Sequence, residues 1–469
     1  MKTKYFLLSI VVALFLGKNT FAQNTKTSKQ CTHCNMVIKD KLHNSEAILS
    51  NKKIIYFDAI ECLLNYTKDK KETSFFKLSV ADYTNGNLID AKTATYLISD
   101  LIKSPMGANL SAFKNKKEAL KIKKNKTGKL FTWQEIKAEF TSGKVGAVDH
   151  HHHHNRPDAH APIGVMGDHL HAKGGFMVSF RYMNMDMNGN RKGTSSIDNT
   201  TIYNSYMVAP QNMKMDMYML GVMYAPSNKL TLMLMQNFVK NNMNLKAKMM
   251  MGGMTMFRDF ATSSSGFGDI KLGALYSVYT KGNTSIHLNG TLNLPVGNIT
   301  QKDDTPMMQN AKLPYAMQLG SGTFDVTLGA TYKGNTESVS WGIQPMFTFR
   351  TGKNSEDYRF GNSQQVNFWG AYKIADWISV SGRFLAISQG KISGKDTQLN
   401  PMMVTTANTN NYGGEKIKSF VGFNFMFNQN SVLKDFRIGV EAGAPIYENY
   451  KGVQMNEDVS LQVGVKYSI

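Results

Sequence analysis

Cys31-Thr32-His33-Cys34-Asn35-Met36 and three runs of methionine at every second position are the residues of this chain best equipped for chemistry. A Cys-x-x-Cys pair serves as a redox disulfide, as half of a zinc site or as a clamp for a soft metal. Zinc would need two further Cys or His ligands, and only His43 and Cys62 lie nearby. Met36 adds a thioether beside the pair, and soft sulfur ligands select Cu(I). The methionine runs are Met183, Met185 and Met187; then Met213, Met215, Met217 and Met219 with Met223 in phase; then Met233 and Met235. Side chains alternate faces along a strand, so each run puts its thioethers on one face. The opposite face reads Phe176, Val178, Phe180, Tyr182 in the first run, Tyr218, Leu220, Val222, Tyr224 in the second and Leu230, Leu232, Leu234 in the third. With those apolar positions toward lipid, the thioethers line an interior suited to Cu(I) or Ag(I).

Histidine is the other concentrated ligand. His150, His151, His152, His153 and His154 are consecutive, and His160, His169 and His171 follow. Neutral imidazole binds Cu(II), Zn(II) and Ni(II). If Asp168-His169-Leu170-His171 is extended, both imidazoles share a face.

The elements that must position these groups fall into blocks. Lys2 and Lys4 precede an apolar stretch from Tyr5 to Leu16, and Thr20-Phe21-Ala22-Gln23 offers a small-residue cleavage site. Residues 1–22 thus read as a secretory signal. Residues 23–145 form one domain with ordinary core residues, ending near a helix start at Thr132-Trp133-Gln134-Glu135-Ile136. Residues 146–165, with the histidine run, Pro157 and Pro162, read as a His-rich linker without packed structure. Residues 166–469 repeat segments of alternating polarity, such as Ile270-Leu272-Ala274-Tyr276-Val278 and Leu461-Val463-Val465-Tyr467-Ile469. No later segment has the ~18 apolar residues of a membrane helix, so a membrane form must be a barrel. The pattern predicts about 12 antiparallel strands, with tight turns such as Lys281-Gly282-Asn283 and long loops at 240–266 and 391–416.

Cys31-x-x-Cys34-x-Met36, then Tyr56-Phe57-Asp58-Ala59-Ile60-Glu61-Cys62-Leu63-Leu64, then Ser104-Pro105-Met106-Gly107 resemble, in order, the motifs of the NosL family. NosL proteins are periplasmic Cu(I)-binding accessory proteins associated with nitrous oxide reductase. The resemblance covers about 30–140. It implies a small α+β domain that binds one Cu(I) through Cys31, Cys34, Met36 and Met106, with Cys62 and Asp58 in the second motif. The chain departs from the family in having Asn35 where glycine is usual and no lipoprotein cysteine. Farther on, Gly268-Asp269-Ile270-Lys271-Leu272-Gly273-Ala274, Leu294-Pro295-Val296-Gly297 and Leu319-Gly320-Ser321-Gly322-Thr323-Phe324-Asp325 resemble the transporter barrels grouped with the MetA-pathway phenol-degradation outer-membrane proteins. That likeness covers roughly 166–469 and bears on fold, not cargo.

The net charge of +20 is read as a solvated lysine surface, with no nucleic-acid partner expected. No nucleophile elbow, zinc-protease helix motif or phosphate-binding loop is present, so no enzyme activity is expected. The expectation is therefore a small α+β domain followed by an antiparallel transmembrane β-barrel, in the outer membrane with its first domain in the periplasm. Its partners would be copper ions, outer-membrane lipid and a periplasmic copper protein. Two alternatives stay open: a membrane-anchored copper chaperone or store without transport, and a channel for small apolar solutes.

Overall fold

Apolar side chains of the second half of the chain point outward and polar ones inward, the reverse of a water-soluble protein. The computed structural model describes residues 29–33, 37–68, 70–141, 156–281, 283–336, 338–427, 433 and 435–468. Residues 1–22, read as a secretory signal, and Cys34, Met36 and His150 to His154 lie outside them. The chain divides into two units, Met1–Val148 and Asp149–Ile469.

The first unit is α+β. One sheet orders Ile54–Phe57, Ser45–Leu49, Phe75–Ala81 and Leu88–Asp90, and a second orders Leu110–Phe113, Thr95–Ile98 and Lys129–Phe131. Helices Ile60–Thr67, Lys116–Lys126 and Trp133–Thr141 complete it. The last starts where expected, because Thr132 and Glu135 cap each other. Thr132 N donates to Glu135 Oε2 at 2.7 Å, and Glu135 N donates to Thr132 Oγ1 at 3.4 Å. Phe57, Ile60, Leu63, Val80, Tyr96, Leu110 and Ile136 form the core, together with Cys31 and Cys62.

The second unit is a closed barrel. Phe176–Gly193, Val208–Ser227, Leu230–Met251, Ile270–Lys281, Thr284–Leu294, Asp325–Asn335, Val339–Arg350, Ser363–Ala375, Ile378–Gln389, Gly414–Met426 and Phe436–Ser468 pair in order, and the last pairs back onto the first. Every one of these pairings is antiparallel. A ring of strictly antiparallel neighbours needs an even number of staves, and these elements number eleven. The last element resolves the parity. As one straight strand its 33 residues would span about 110 Å, far beyond a bilayer core of about 30 Å. Its ends instead lie side by side: Ser468 N donates to Asp435 O at 3.1 Å, and the Phe436 and Tyr467 rings are 4.6 Å apart. It doubles back on itself and contributes two staves, so the ring has twelve, in line with the sequence reading.

The stretch 240–266 is not a loop. Leu230–Met251 pairs through its first residues with Ile270–Lys281 and through Phe238–Met251 with another strand, Met254–Phe267. The tip is Gly252-Gly253, both with positive φ, +58° and +81°. Two left-handed residues suit the twist of a tight hairpin. The misreading has a physical cause: beyond the lipid belt the outward face turns polar, at Lys240, Asn242 and Asn244, and the apolar-out pattern stops.

Within the belt the inversion is complete. Phe180, Leu220, Leu232, Leu288, Leu328, Phe368, Phe384 and Val421 are exposed, whereas Arg383, Glu441, Lys418, Glu457, Asn289 and Gln344 are buried. Among the described residues no helix is long and apolar enough to cross a membrane; the strands are of membrane-spanning length. Several lumenal charges are paired. Arg383 Nε meets Glu441 Oε1 at 2.6 Å, and Glu457 serves both Lys416 and Lys418. Glu457→Gln strands two ammonium groups in the wall, and we expect it to cost about 3–5 kcal/mol, measured by urea unfolding in detergent micelles.

The expected linker is corrected in its described part. Residues 157–171 run inside the barrel, and Pro157, Asp158, His160, Ala161, Ile163 and Val165 are buried. The prolines forbid regular ladders there, but lumenal side chains satisfy the freed backbone. Ser340 Oγ donates to Asp158 O at 2.5 Å, Arg437 Nη1 to Arg156 O at 2.8 Å and Asn289 Nδ2 to Gly167 O at 2.8 Å. Gly164 N donates to Glu441 Oε2 at 2.8 Å, and His171 N donates to Thr231 Oγ1 at 3.0 Å. The segment is a plug.

Candidate metal centres

The first centre lies in the α+β unit. Cys31 sits in a loop held to the strand Ile54–Phe57, where Thr32 N donates to Tyr56 O at 2.8 Å. Asp58 follows that strand, and Cys62 lies four residues on, in the first turn of helix Ile60–Thr67. One ligand atom from each of Cys31, Asp58 and Cys62 falls within 4.8 Å of the others, and all three residues are buried. No disulfide joins Cys31 to Cys62. The first two sequence motifs thus converge.

The third motif is tied to the second. Ser104 Oγ donates to Glu61 Oε1, and Ser104 Oγ also accepts from Asn109 N at 2.9 Å. Met106, two residues along, packs half-buried against the core that holds Cys31 and Cys62. Burial raises the Glu61 carboxyl to about 7, the Ser104 hydrogen bond opposes this, and the Asp58 charge adds to it. Sequence reasoning gave Glu61 no role; a charged residue between apolar ones on a short helix was the available signal. A donor set of two thiols and a carboxylate in an apolar pocket fits a soft cation whose charge is neutralised on binding.

The methionines follow the expected faces. Met213, Met223 and Met235 are buried, while Tyr218, Leu220, Tyr224 and Leu234 beside them are exposed; Met213 is 3 % and Leu220 51 % accessible. Met183, Met185, Met187, Met215, Met217, Met219 and Met233 are half-buried. The register pairs thioether with thioether. Met213 stands between Met187 and Met243, Met215 opposite Met185, Met217 opposite Met183, and Met223 between Met177 and Met233. At about 3.3 Å per residue, the rows from Met223 to Met213 cover about 33 Å. Met177 and Met243 extend the ladder beyond the positions singled out from sequence. The upper row is packed, not open: Met213 and Met243 cluster with Leu313, Met317, Val404 and Met455 from loops and from the wall. The lower rows open onto a cavity lined by Met177, Met219, Met223, Met233 and Met235 together with Met166, Arg181 and Lys466.

The second centre is in the plug and borders that cavity. Asp168 Oδ1 is 2.8 Å from His169 Nδ1, and Asp168 Oδ2 is 3.7 Å from His160 Nδ1. The His160 and His169 rings are 4.1 Å apart, and those of His169 and His171 are 4.8 Å apart. His169 and His171 had been singled out; His160 and Asp168, from the stretch read as linker and its edge, complete the group.

Comparison with known proteins reports on each unit separately. Residues 22–141 match the NosL family model. Residues 227–414 match the model described as the putative MetA-pathway of phenol degradation. The chain therefore joins a segment similar to NosL to a barrel similar, over 227–414, to that second family. No curated protein matches it significantly. Among solved structures it is similar to the COG4313 outer membrane channel from Pseudomonas putida F1, with 14% identity and a TM-score of 0.46, over 66% of this chain and 100% of that one. It is also similar to the copper chaperone NosL from Shewanella denitrificans, with 21% identity and a TM-score of 0.22, over 24% of this chain and 94% of that one. The NanC porin follows at 8% identity and a TM-score of 0.30, over 61% and 98%.

Proposed function

We propose that this protein handles copper in the outer membrane. Its NosL-like domain, in the periplasm, binds Cu(I) through Cys31 and Cys62 with Cys34, Met36 and Met106, and Ag(I) shares the chemistry. Copper then passes to or from the methionine-lined barrel by exchange between sulfur ligands. The His150–His154 run collects Cu(II) or Zn(II), and a periplasmic copper protein is the natural exchange partner. The observation that carries the reading is the meeting of Cys31, Asp58 and Cys62 within 4.8 Å in a buried pocket, in a domain that matches NosL. Carrying donor and barrel on one chain raises the local copper concentration at the barrel.

The test is Cu(I) bound per chain, by competition with a chromophoric chelator, in protein lacking the five-histidine run. Replacing Met183, Met185, Met213, Met215 and Met217 by Leu should lower the stoichiometry below the parent's while the tight site persists. Equal stoichiometry would make the ladder packing alone, since Met is also a pliable core filler.

One observation favours a second reading, a membrane-anchored copper chaperone or store without transport. The plug occupies part of the lumen, and the loops cover the upper methionine row. Conductance with and without the plug separates the two.

A further inference from the structure

We propose that the plug carries a second metal site, for a borderline divalent cation such as Zn(II) or Cu(II), built from His160, His169 and Asp168. It is chemically distinct from the sulfur sites and does not depend on the copper reading.

The donor set comes first. Two imidazoles and a carboxylate suit Zn(II) and Cu(II), not Cu(I). Spacing comes second. Bonds of about 2.0–2.2 Å to a tetrahedral ion put neighbouring donors about 3.3–3.6 Å apart. His160 Nδ1 is 3.7 Å from Asp168 Oδ2, close to that value, and His169 Nδ1 is 2.8 Å from the other oxygen, Oδ1, at hydrogen-bond distance. Burial comes third. His160, Asp168 and His169 are all buried, and one ligand atom from each lies within 4.8 Å of the others.

Support for the ligands is also built in. The 2.8 Å hydrogen bond between His169 Nδ1 and Asp168 Oδ1 fixes the ring beside the carboxylate, and a bound ion would take the place of the shared proton. Asp168 Oδ2 accepts from Ala161 N at 3.0 Å, which ties the far arm of the plug to the carboxylate. The opposing charge nearest the site is Lys466, whose Nζ lies 3.8 Å from Asp168 Oδ1. That is beyond hydrogen-bond length, and a divalent ion offers the carboxylate more charge at shorter range. His171, 4.8 Å ring to ring from His169, flanks the site.

The consequence is mechanical. His160 and His169 sit on either arm of the loop that turns through Gly164 and Gly167, so one ion pins the two arms together inside the barrel. Asp168 and His169 also border the methionine-lined cavity. The lower end of a soft-metal ladder therefore abuts a site for a harder ion.

The test uses the full chain in detergent, with the His150–His154 run replaced by Asn and with Cys31, Cys34 and Cys62 replaced by Ser. Zn(II) alone is titrated, and Co(II) serves as its spectroscopic stand-in. The expected result is one tight equivalent of Zn(II) per chain. Co(II) should give visible ligand-field bands of a nitrogen and oxygen site, with no thiolate charge-transfer band. His160→Gln and His169→Gln should each weaken Zn(II) binding by about 10- to 100-fold. His287→Gln, a buried lumenal histidine that donates to the plug at Gly167 O, 2.9 Å away, should not. A barrel that still shows heat-modifiable migration certifies the fold of each variant, and His160→Gln alone suffices if Asp168 or His169 variants fail to fold. No bound Zn(II) in this background, or Zn(II) affinity unchanged in His160→Gln and His169→Gln, would overturn the site. Loss of affinity in His287→Gln equal to that in His169→Gln would also overturn it, because the effect would then belong to plug packing.

Discussion

Replacing Cys31 and Cys62 by Ser should remove the tight Cu(I) site, with a loss of affinity on the order of a thousandfold or about 4 kcal/mol. Both side chains are buried and converge with Asp58 within 4.8 Å. A hydroxyl is a hard, neutral donor, whereas a thiolate is soft and anionic, so the exchange removes the property that selects Cu(I). Serine is close to cysteine in volume, and the apolar core around Phe57, Leu63 and Tyr96 should tolerate it at modest cost. Circular dichroism of the variant checks that point, and chelator competition reads the affinity. Asp58→Asn should cost less than either cysteine, because the amide keeps an oxygen donor and loses only charge. If the double Ser variant binds Cu(I) as tightly as the parent, the NosL-like domain is not the copper site and the reading falls.

Removing residues 157–167 should raise single-channel conductance in planar bilayers by at least about tenfold, since twelve staves enclose a lumen too wide for wall side chains alone to fill. The plug is fastened at many points, one of which is Gly164 against the Arg383–Glu441 pair. Any Cβ at Gly164 would be driven into the Arg383 guanidinium and the Glu441 carboxylate. Gly164→Val is therefore the milder version of the same experiment, and it should loosen the plug without shortening the chain. A conductance unchanged by the deletion would locate the block elsewhere, in the loops over Met213, and would favour the anchored-chaperone reading over transport.

Period-two patterning made the barrel legible, because each face meets one environment over the lipid belt. The methionine faces were readable for the same reason: Met213 to Met223 alternate with Tyr218, Leu220 and Val222 across a single stave. The pattern failed where the environment changed along a strand. Above the belt Lys240, Asn242 and Asn244 face water, so a continuous strand looked like a loop. It failed again where backbone without regular structure was buried, because a polar lumen can satisfy Arg156, Asp158 and Gly167 carbonyls as water would. In the first domain, the motif order pointed to the site, but the meeting of Cys31 with Asp58 and Cys62 depends on how a loop packs beside a strand. The plug site combines both difficulties. His160 and Asp168 are eight residues apart, and nothing in their spacing announces the turn that joins them.

The doubled-back final segment has a consequence for biogenesis. The first stave, Phe176–Gly193, pairs on one side with Val208–Ser227 and on the other with the end of the chain, Tyr450–Ser468. The seam that shuts the cylinder is thus between the earliest and latest strands, and it forms only when the whole wall has been laid out. Residues 157–171 lie just ahead of that earliest strand. They must already be inside when the seam zips, because a loop bonded to staves all around the circumference cannot thread in afterwards. Closing this barrel therefore seals a vessel around its own stopper.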